Sequence, residues 1–294
     1  MADRVARALT ADGMVRGLAA VTTDLVEDAR ARHGTLPTAT AALGRALTAA
    51  LLLGGLLKTD DERVSLQFSG DGPLGGILVD ATAEGVVRGF VSRPQTHVAP
   101  RGGKLDVGGA LGRGLLCVMR VPVGEGPPYR SVVPLVSGEI GSDVANYLAG
   151  SEQIPSAVAL GVFVNPDGRV GAAGGYLLQS MPGADPRAVE RLEENVGTSP
   201  PPSELVRSGL DARSMLAGLL NGVTTHVLEE HPVRFACRCN RARVESAILA
   251  MGRAEVLDVL AGERRAEVVC EFCAARYVVE EPELRALLAA SDNA

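Results

Sequence analysis

The chain has 294 residues, of which 46% are apolar and 22% charged, with a formal net charge of −6. That is enough for two domains and a buried core, and the balance excludes wholesale disorder or a fibrous repeat. The negative charge gives no electrostatic reason to seek phosphate backbones or anionic lipid, so neither nucleic acid nor a membrane is expected as a partner. Five cysteines are few for a disulfide scaffold of this size, and their odd number leaves one unpaired. Met1 to Met14 carries no apolar run of signal-peptide length, so the reducing cytoplasm is the expected compartment.

Thr35 to Leu57 is rich in Ala and Leu, but Arg45 and three threonines interrupt it, which predicts a helix buried in a protein core rather than in a bilayer. Strands follow. Val64, Leu66 and Phe68 alternate with polar partners, Gly70-Asp71-Gly72-Pro73 turns the chain, and Ile77–Ala81 and Val86–Val91 continue a meander. Leu115–Val123 and Ser131–Val136 read as another antiparallel pair, Ile140–Leu148 as a short helix, and Val158–Val164 with Val170–Leu178 as a hairpin across Asn165-Pro166-Asp167-Gly168. The expected class is α+β: a mainly antiparallel sheet domain with a buried helix over about residues 15–180, assigned in full to 1–182.

Residues 183–232 read as a helical linker. Asp185 can cap a helix with Pro186 at its first position, ending near Gly197; Pro200 to Pro202 interrupt the chain, and short helices over Ser203–Ser208 and Ala212–Leu220 follow. Pieces this short must dock on another surface, and the zinc domain that follows is a candidate to lend it. Residues 233–294 then form a small C-terminal four-cysteine domain. Val244, Ala247, Ile248 and Met251 follow helical spacing, as do Val256, Leu257 and Leu260, and with Phe235, Phe272 and Tyr277 they are expected to make a small core.

The cysteines are Cys237-Arg238-Cys239 and Cys270-Glu271-Phe272-Cys273, separated by 30 residues. Two close pairs of thiolates converging on one point make the soft tetrahedral shell that Zn²⁺ prefers, so Cys237, Cys239, Cys270 and Cys273 are the expected ligands of one zinc ion. His231 is close in sequence but is not needed as a fifth ligand, and is expected on the surface. Burial alone leaves about 60 residues marginal, whereas four-thiolate zinc can supply on the order of 10–16 kcal/mol of folding free energy. Two uses are open: an inert structural site, or a switch in which oxidisable sulfurs release the metal. Cys117, in an apolar strand, is expected to be a small buried hydrophobe.

The sequence resembles the heat shock protein 33 family, the 33-kDa chaperonin, a bacterial redox-regulated holdase. The likeness rests on the two cysteine pairs at the family's separation, Gly70-Asp71-Gly72-Pro73, Ser151-Glu152-Gln153-Ile154-Pro155, and Gly174-Gly175-Tyr176-Leu177-Leu178-Gln179-Ser180-Met181-Pro182, in the right order over nearly the whole chain. The resemblance implies a non-enzymatic, ATP-independent chaperone, inactive while reduced and zinc-bound. It implies that oxidation with unfolding stress links Cys237 to Cys239 and Cys270 to Cys273, releases zinc, unfolds the linker, and yields a homodimer that binds unfolded proteins.

Three other classes find less support. No phosphate loop, dinucleotide fingerprint or nucleophile elbow is present, and His33, His97, His226 and His231 are scattered, which argues against a hydrolase, a transferase or an ATP-driven chaperone. A constitutive zinc-ribbon binder of nucleic acid could use Arg238, Arg241, Arg243, Arg264 and Arg265, yet acidic residues from Glu245 to Glu283 mix the charge. A thiol oxidoreductase would open a helix with its Cys-x-x-Cys, whereas Glu267–Val269 and Arg276–Val279 flank this one as a hairpin.

Overall fold

The computed structural model describes residues 2–59, 62–122 and 128–291. Thirteen strands and ten helices among them fall into two compact units, Met1–Ala236 and Cys237–Ala294.

The first unit opens with a hairpin of β1 (Arg4–Thr10) and β2 (Val15–Val21), turned at Gly13 in the left-handed region with φ 73°. The sequence reading assigns these first residues to the domain but expects no strand before about residue 15; the chain forms one at Arg4–Thr10. Val5 and Ala6 are buried in succession, so the alternation that marks a half-exposed strand holds only from Ala6 to Thr10. Next comes α1 (Thr23–His33), whose Leu25 N–H donates to the Asp3 carboxylate at 2.7 Å. Burial pushes that carboxyl up to about 6.

Helix α2 (Pro37–Gly54) is the expected core helix: 16 of its 18 residues are buried, Pro37 and Arg45 being the exceptions. Its threonines are tolerated there because their hydroxyls are paired. Thr48 donates to the Gly44 carbonyl at 2.8 Å and shares a 2.8 Å bond with Thr22, while Thr40 lies 2.7 Å from the Thr35 hydroxyl. Arg45 leaves the apolar face to meet Glu139 at 2.5 Å.

Strands β3 (Arg63–Gly70), β4 (Gly76–Thr82) and β5 (Val86–Val91), helix α3 (Val107–Leu111), and strands β6 (Gly114–Val121) and β7 (Tyr129–Pro134) follow. The expected strand end at Val123 lies outside the described residues. Between β3 and β4 the Gly70-Asp71-Gly72-Pro73 turn presses on α3: a Cβ at Gly70 would stand 1.9 Å from the Leu111 carbonyl oxygen, and one at Gly72 2.4 Å from that of Ala110. Only glycine allows this approach, and Asp71 between them accepts from the Arg113 N–H at 2.7 Å.

Helix α4 (Gly141–Ser151) precedes the hairpin β8 (Ser156–Val164) and β9 (Val170–Ser180). Glu152, just past α4, accepts from the Tyr147 hydroxyl at 2.5 Å and pairs with Arg120 of β6, which fixes the helix end to the sheet.

Helices α5 (Pro186–Thr198), α6 (Pro202–Arg207) and α7 (Ala212–Leu219) follow, α5 capped by the Asp185 carboxylate on Arg187 N–H at 3.1 Å. The surface they rest on is the first unit's own sheet. Leu192, Val206, Met215, Leu216 and Leu219 pack on Ala6, Ala8, Val15, Ala19, Tyr176 and Leu178. The chain then returns as β10 (Thr225–Pro232), antiparallel to β1, and β11 (Arg234–Phe235), parallel to β5.

Two sheets result: a five-stranded antiparallel sheet in the order β10-β1-β2-β9-β8, and a six-stranded one in the order β11-β5-β4-β3-β6-β7, antiparallel except at β11. Helix α2 packs on strands of both, which explains why nearly its whole circumference is apolar.

The second unit holds α8 (Arg241–Ala250), α9 (Arg253–Ala261), the hairpin β12 (Arg265–Val269) and β13 (Arg276–Glu280), and α10 (Glu281–Ser291). Its core is seven buried residues: Val244, Ile248, Val256, Leu260, Val279, Leu284 and Leu288. Several core expectations are corrected here. Ala247 is exposed, and Met251 and Leu257 point outward, 56% and 43% exposed, because α10 covers a different side of α8 and α9 from the one their spacing suggested; Phe272 is half-buried and stands outside the cluster. Phe235 belongs to the first unit, on β11 beside β5, with its ring 6.4 Å from that of His33 and 5.3 Å from the Arg32 guanidinium.

Candidate metal centre

The two cysteine pairs reach their positions by different local structures. Cys237 and Cys239 lie in an irregular stretch between β11 and α8, closed by Asn240, whose side chain caps α8 by accepting from Arg243 N–H at 2.9 Å. Cys270 and Cys273 occupy the turn between β12 and β13. Its backbone folds back on itself: Cys270 N–H donates to the Ala275 carbonyl at 2.9 Å, and Ala274 N–H to the Cys270 carbonyl at 2.7 Å, with Ala274 at φ 56°. Backbone N–H groups of Phe272 and Cys273 aim at the Cys270 sulfur, and that of Ala275 at the Cys273 sulfur. The motif thus sits on a hairpin turn between β12 and β13 rather than at the opening of a helix, and such a knuckle can present two sulfurs to one metal ion.

The four Sγ atoms all lie within 4.8 Å of one another. The close approaches run across the pairs, Cys237 to Cys270 at 3.8 Å and Cys239 to Cys273 at 3.4 Å. Four sulfurs about 2.3 Å from a tetrahedral zinc would be about 3.8 Å apart, so the set fits a four-thiolate ion. The separations also far exceed a sulfur–sulfur bond, leaving all four as free thiols. Burial pushes the Cys270 and Cys273 thiols up. Gathering four anionic sulfurs here therefore requires a cation to neutralise them, and the donor set favours a soft one.

Tyr277 is the residue whose second task the sequence did not show. On β13 opposite Val268, its ring packs against the small core while its hydroxyl donates to Cys239 Sγ at 3.2 Å. That bond, ahead of desolvation, pushes the phenol up to about 12. Its position at an alternate residue of a strand leaving the knuckle is the only signal the sequence carries for this.

His231 stays in β10, paired with Val5. Cys117 is buried on β6, accepting from Arg130 Nε at 3.2 Å. Around the cysteines Arg276 pairs with Glu267 at 2.7 Å and Arg241 with Glu283 at 2.5 Å. Among the described residues no helix is long and apolar enough to cross a membrane.

Known proteins agree with this reading over the whole length. The profile of the family described as Hsp33 protein matches residues 3–280. A 33 kDa chaperonin of Geobacillus sp. (strain WCH70) is 45% identical over 289 residues, 98% of this chain and 97% of that one. A 33 kDa chaperonin of Symbiobacterium thermophilum is 47% identical over 278 residues, 94% of each. The crystal structure of the 33 kDa chaperonin (heat shock protein 33 homolog) of Thermotoga maritima superposes with a TM-score of 0.93 at 36% identity and complete coverage of both chains. With its sequence and its fold both matched along the chain, this protein belongs to the Hsp33 family of chaperones.

Proposed function

We propose that this chain is a redox-regulated, ATP-independent holdase of the cytoplasm, not an enzyme, silent while Cys237, Cys239, Cys270 and Cys273 hold one zinc ion. The observation that carries the proposal is the spacing of four sulfurs at the edges of a zinc tetrahedron, in a unit with only seven buried core residues. Bound zinc supplies charge neutralisation and cross-links α8's leading segment to the β12–β13 knuckle. The rest is the chain's own chemistry. Two equivalents of peroxide remove four electrons from four thiolates, form the Cys237–Cys239 and Cys270–Cys273 bonds, and release the ion. The cysteines of each pair are two or three residues apart, so forming these bonds requires the cross-pair arrangement to come apart.

Loss of the ion leaves the second unit too small a core to stay ordered. Unfolding stress, acting together with that loss, then opens the linker assigned to residues 183–232 and uncovers the sheet face lined by Ala19, Tyr176 and Leu178, and unfolded clients bind there or on the linker itself, with a homodimer as the active form.

In the test, zinc released and thiols lost are counted together while light scattering follows a heat-unfolded client. We expect four thiols lost per zinc under peroxide at elevated temperature, and protection from aggregation only after that treatment. Equal protection by the reduced protein would rule out the switch and leave a constitutive zinc module.

A further inference from the structure

The two halves of the cysteine site obtain their hydrogen bonds from different sources. The Cys270 and Cys273 sulfurs receive N–H groups from their own turn, from Phe272, Cys273 and Ala275. Those donors travel with the cysteines. Cys239 Sγ instead receives the Tyr277 hydroxyl at 3.2 Å from 38 residues along the chain. Tyr277 can deliver it only while β13 is paired with β12 and the ring is seated against the core of Val244, Ile248, Val279 and Leu284.

We propose that Tyr277 is a positioning residue that restrains oxidation of Cys239 for as long as the second unit is folded, so that loss of tertiary order itself raises the reactivity of that sulfur. This inference rests on the thiol-switch reading above and adds the element joining heat to oxidation. A donated O–H withdraws electron density from a thiolate, and nucleophilicity toward peroxide falls with it. Groups that hydrogen-bond to metal ligands also commonly change metal affinity by 10–100-fold when removed. When β13 or its core loosens, the hydroxyl leaves and the sulfur regains its electron density. Peroxide then gives one oxygen to the Cys239 sulfur, forming a sulfenic acid, and the other leaves as hydroxide. The Cys237 thiolate attacks that sulfur, the new S–S bond forms and a second hydroxide departs. The knuckle has no comparable dependence, because its donors are local.

The full-length zinc-loaded protein tests this through Tyr277→Phe, which keeps the ring and deletes only the hydroxyl. Per-cysteine alkylation and mass spectrometry after dilute peroxide at 25 °C should show Cys239 consumed about tenfold faster than in wild type. Chelator competition on the reduced protein should show zinc held about tenfold more weakly, with the melting of the second unit little changed. Arg276→Ala is the control, since it removes the 2.7 Å pair to Glu267 on the same hairpin without touching sulfur, and it should leave the Cys239 rate alone. On warming past the melting of the second unit, wild type and Tyr277→Phe should converge. Equal Cys239 rates in wild type and Tyr277→Phe at 25 °C overturn the proposal, and so does equal acceleration by Arg276→Ala, which would mean that any loosening of the hairpin suffices. The switch reading fails separately, if wild-type protein keeps its zinc under peroxide and heat; the chelator result on reduced protein stands apart from that outcome.

Discussion

The two units reach order by opposite means. In the first, α2 buries 16 residues between two sheets, with every core threonine described above hydrogen-bonded, and the fold needs nothing beyond its own side chains. In the second, two short helices, a hairpin of two five-residue strands and a last helix share seven buried residues, and the four sulfurs bring together segments more than 30 residues apart. A large core tolerates the loss of any one contact, whereas a small core fastened by a single ligand set fails all at once. On the proposed switch, one chain thus carries a stable platform and a part that one chemical event can disorder.

The largest effect expected from this contrast is on the second unit. Chelation of the reduced protein, or Cys273→Ser, should remove on the order of 10–16 kcal/mol and abolish its helical signal, while the melting transition of the first unit stays in place. Circular dichroism with proteolytic mapping of the region after Ala236 checks this, and a second unit that keeps its helices without metal would break the comparison. The complementary change is Leu51→Ala in α2, a residue 1% exposed. It should cost roughly 2–5 kcal/mol in the first unit's unfolding and leave zinc affinity unaltered.

The smallest effect concerns Asp3, whose carboxyl, held up by burial, keeps a proton to about pH 6 in the folded state. Unfolded, it would lose that proton near pH 4. Between those values the folded form binds the extra proton, so this group's contribution is complete below about pH 4 and declines as pH rises to about 6. Denaturant titrations should show a decline in stability of up to about 3 kcal/mol over that window which Asp3→Asn lacks. A slope of the opposite sign would mean that the Leu25 N–H bond outweighs burial.

What the sequence made legible tracks how local the signal was. The buried helix, the 70–73 turn, the 158–178 hairpin, the Asp185 cap and the cysteine knuckle are each written within a few residues. Strand β1 was not legible, since Val5 and Ala6 are buried in succession and the alternation that follows, Ala6 to Thr10, is carried by small or weakly apolar residues. Nor was β10, where Glu229, Glu230 and His231 look like loop chemistry until β1 supplies the other half of the ladder and Arg4 pairs with Glu230 at 2.9 Å. Phe235 was placed in the wrong unit for the same reason, its partner strand β5 lying far away in sequence. In the site, the four sulfurs could be read from spacing alone, while the Tyr277 hydroxyl required knowledge of which way β13 faces.

Strand β10 also settles the route by which disorder can spread. Helices α5 to α7 are bracketed by β9, which ends at Ser180, and by β10, which begins at Thr225, and both strands are zipped into the same sheet. The helices are therefore a closed arch on the platform rather than a cord leading to the cysteines. Fraying that starts at Cys237 meets the two-residue β11 first and the β1–β10 ladder second, and only after unzipping that ladder does it reach the arch. On the proposed switch, the length of that zipper sets how far a chemical event at sulfur must propagate before the sheet face beneath α7 is laid bare.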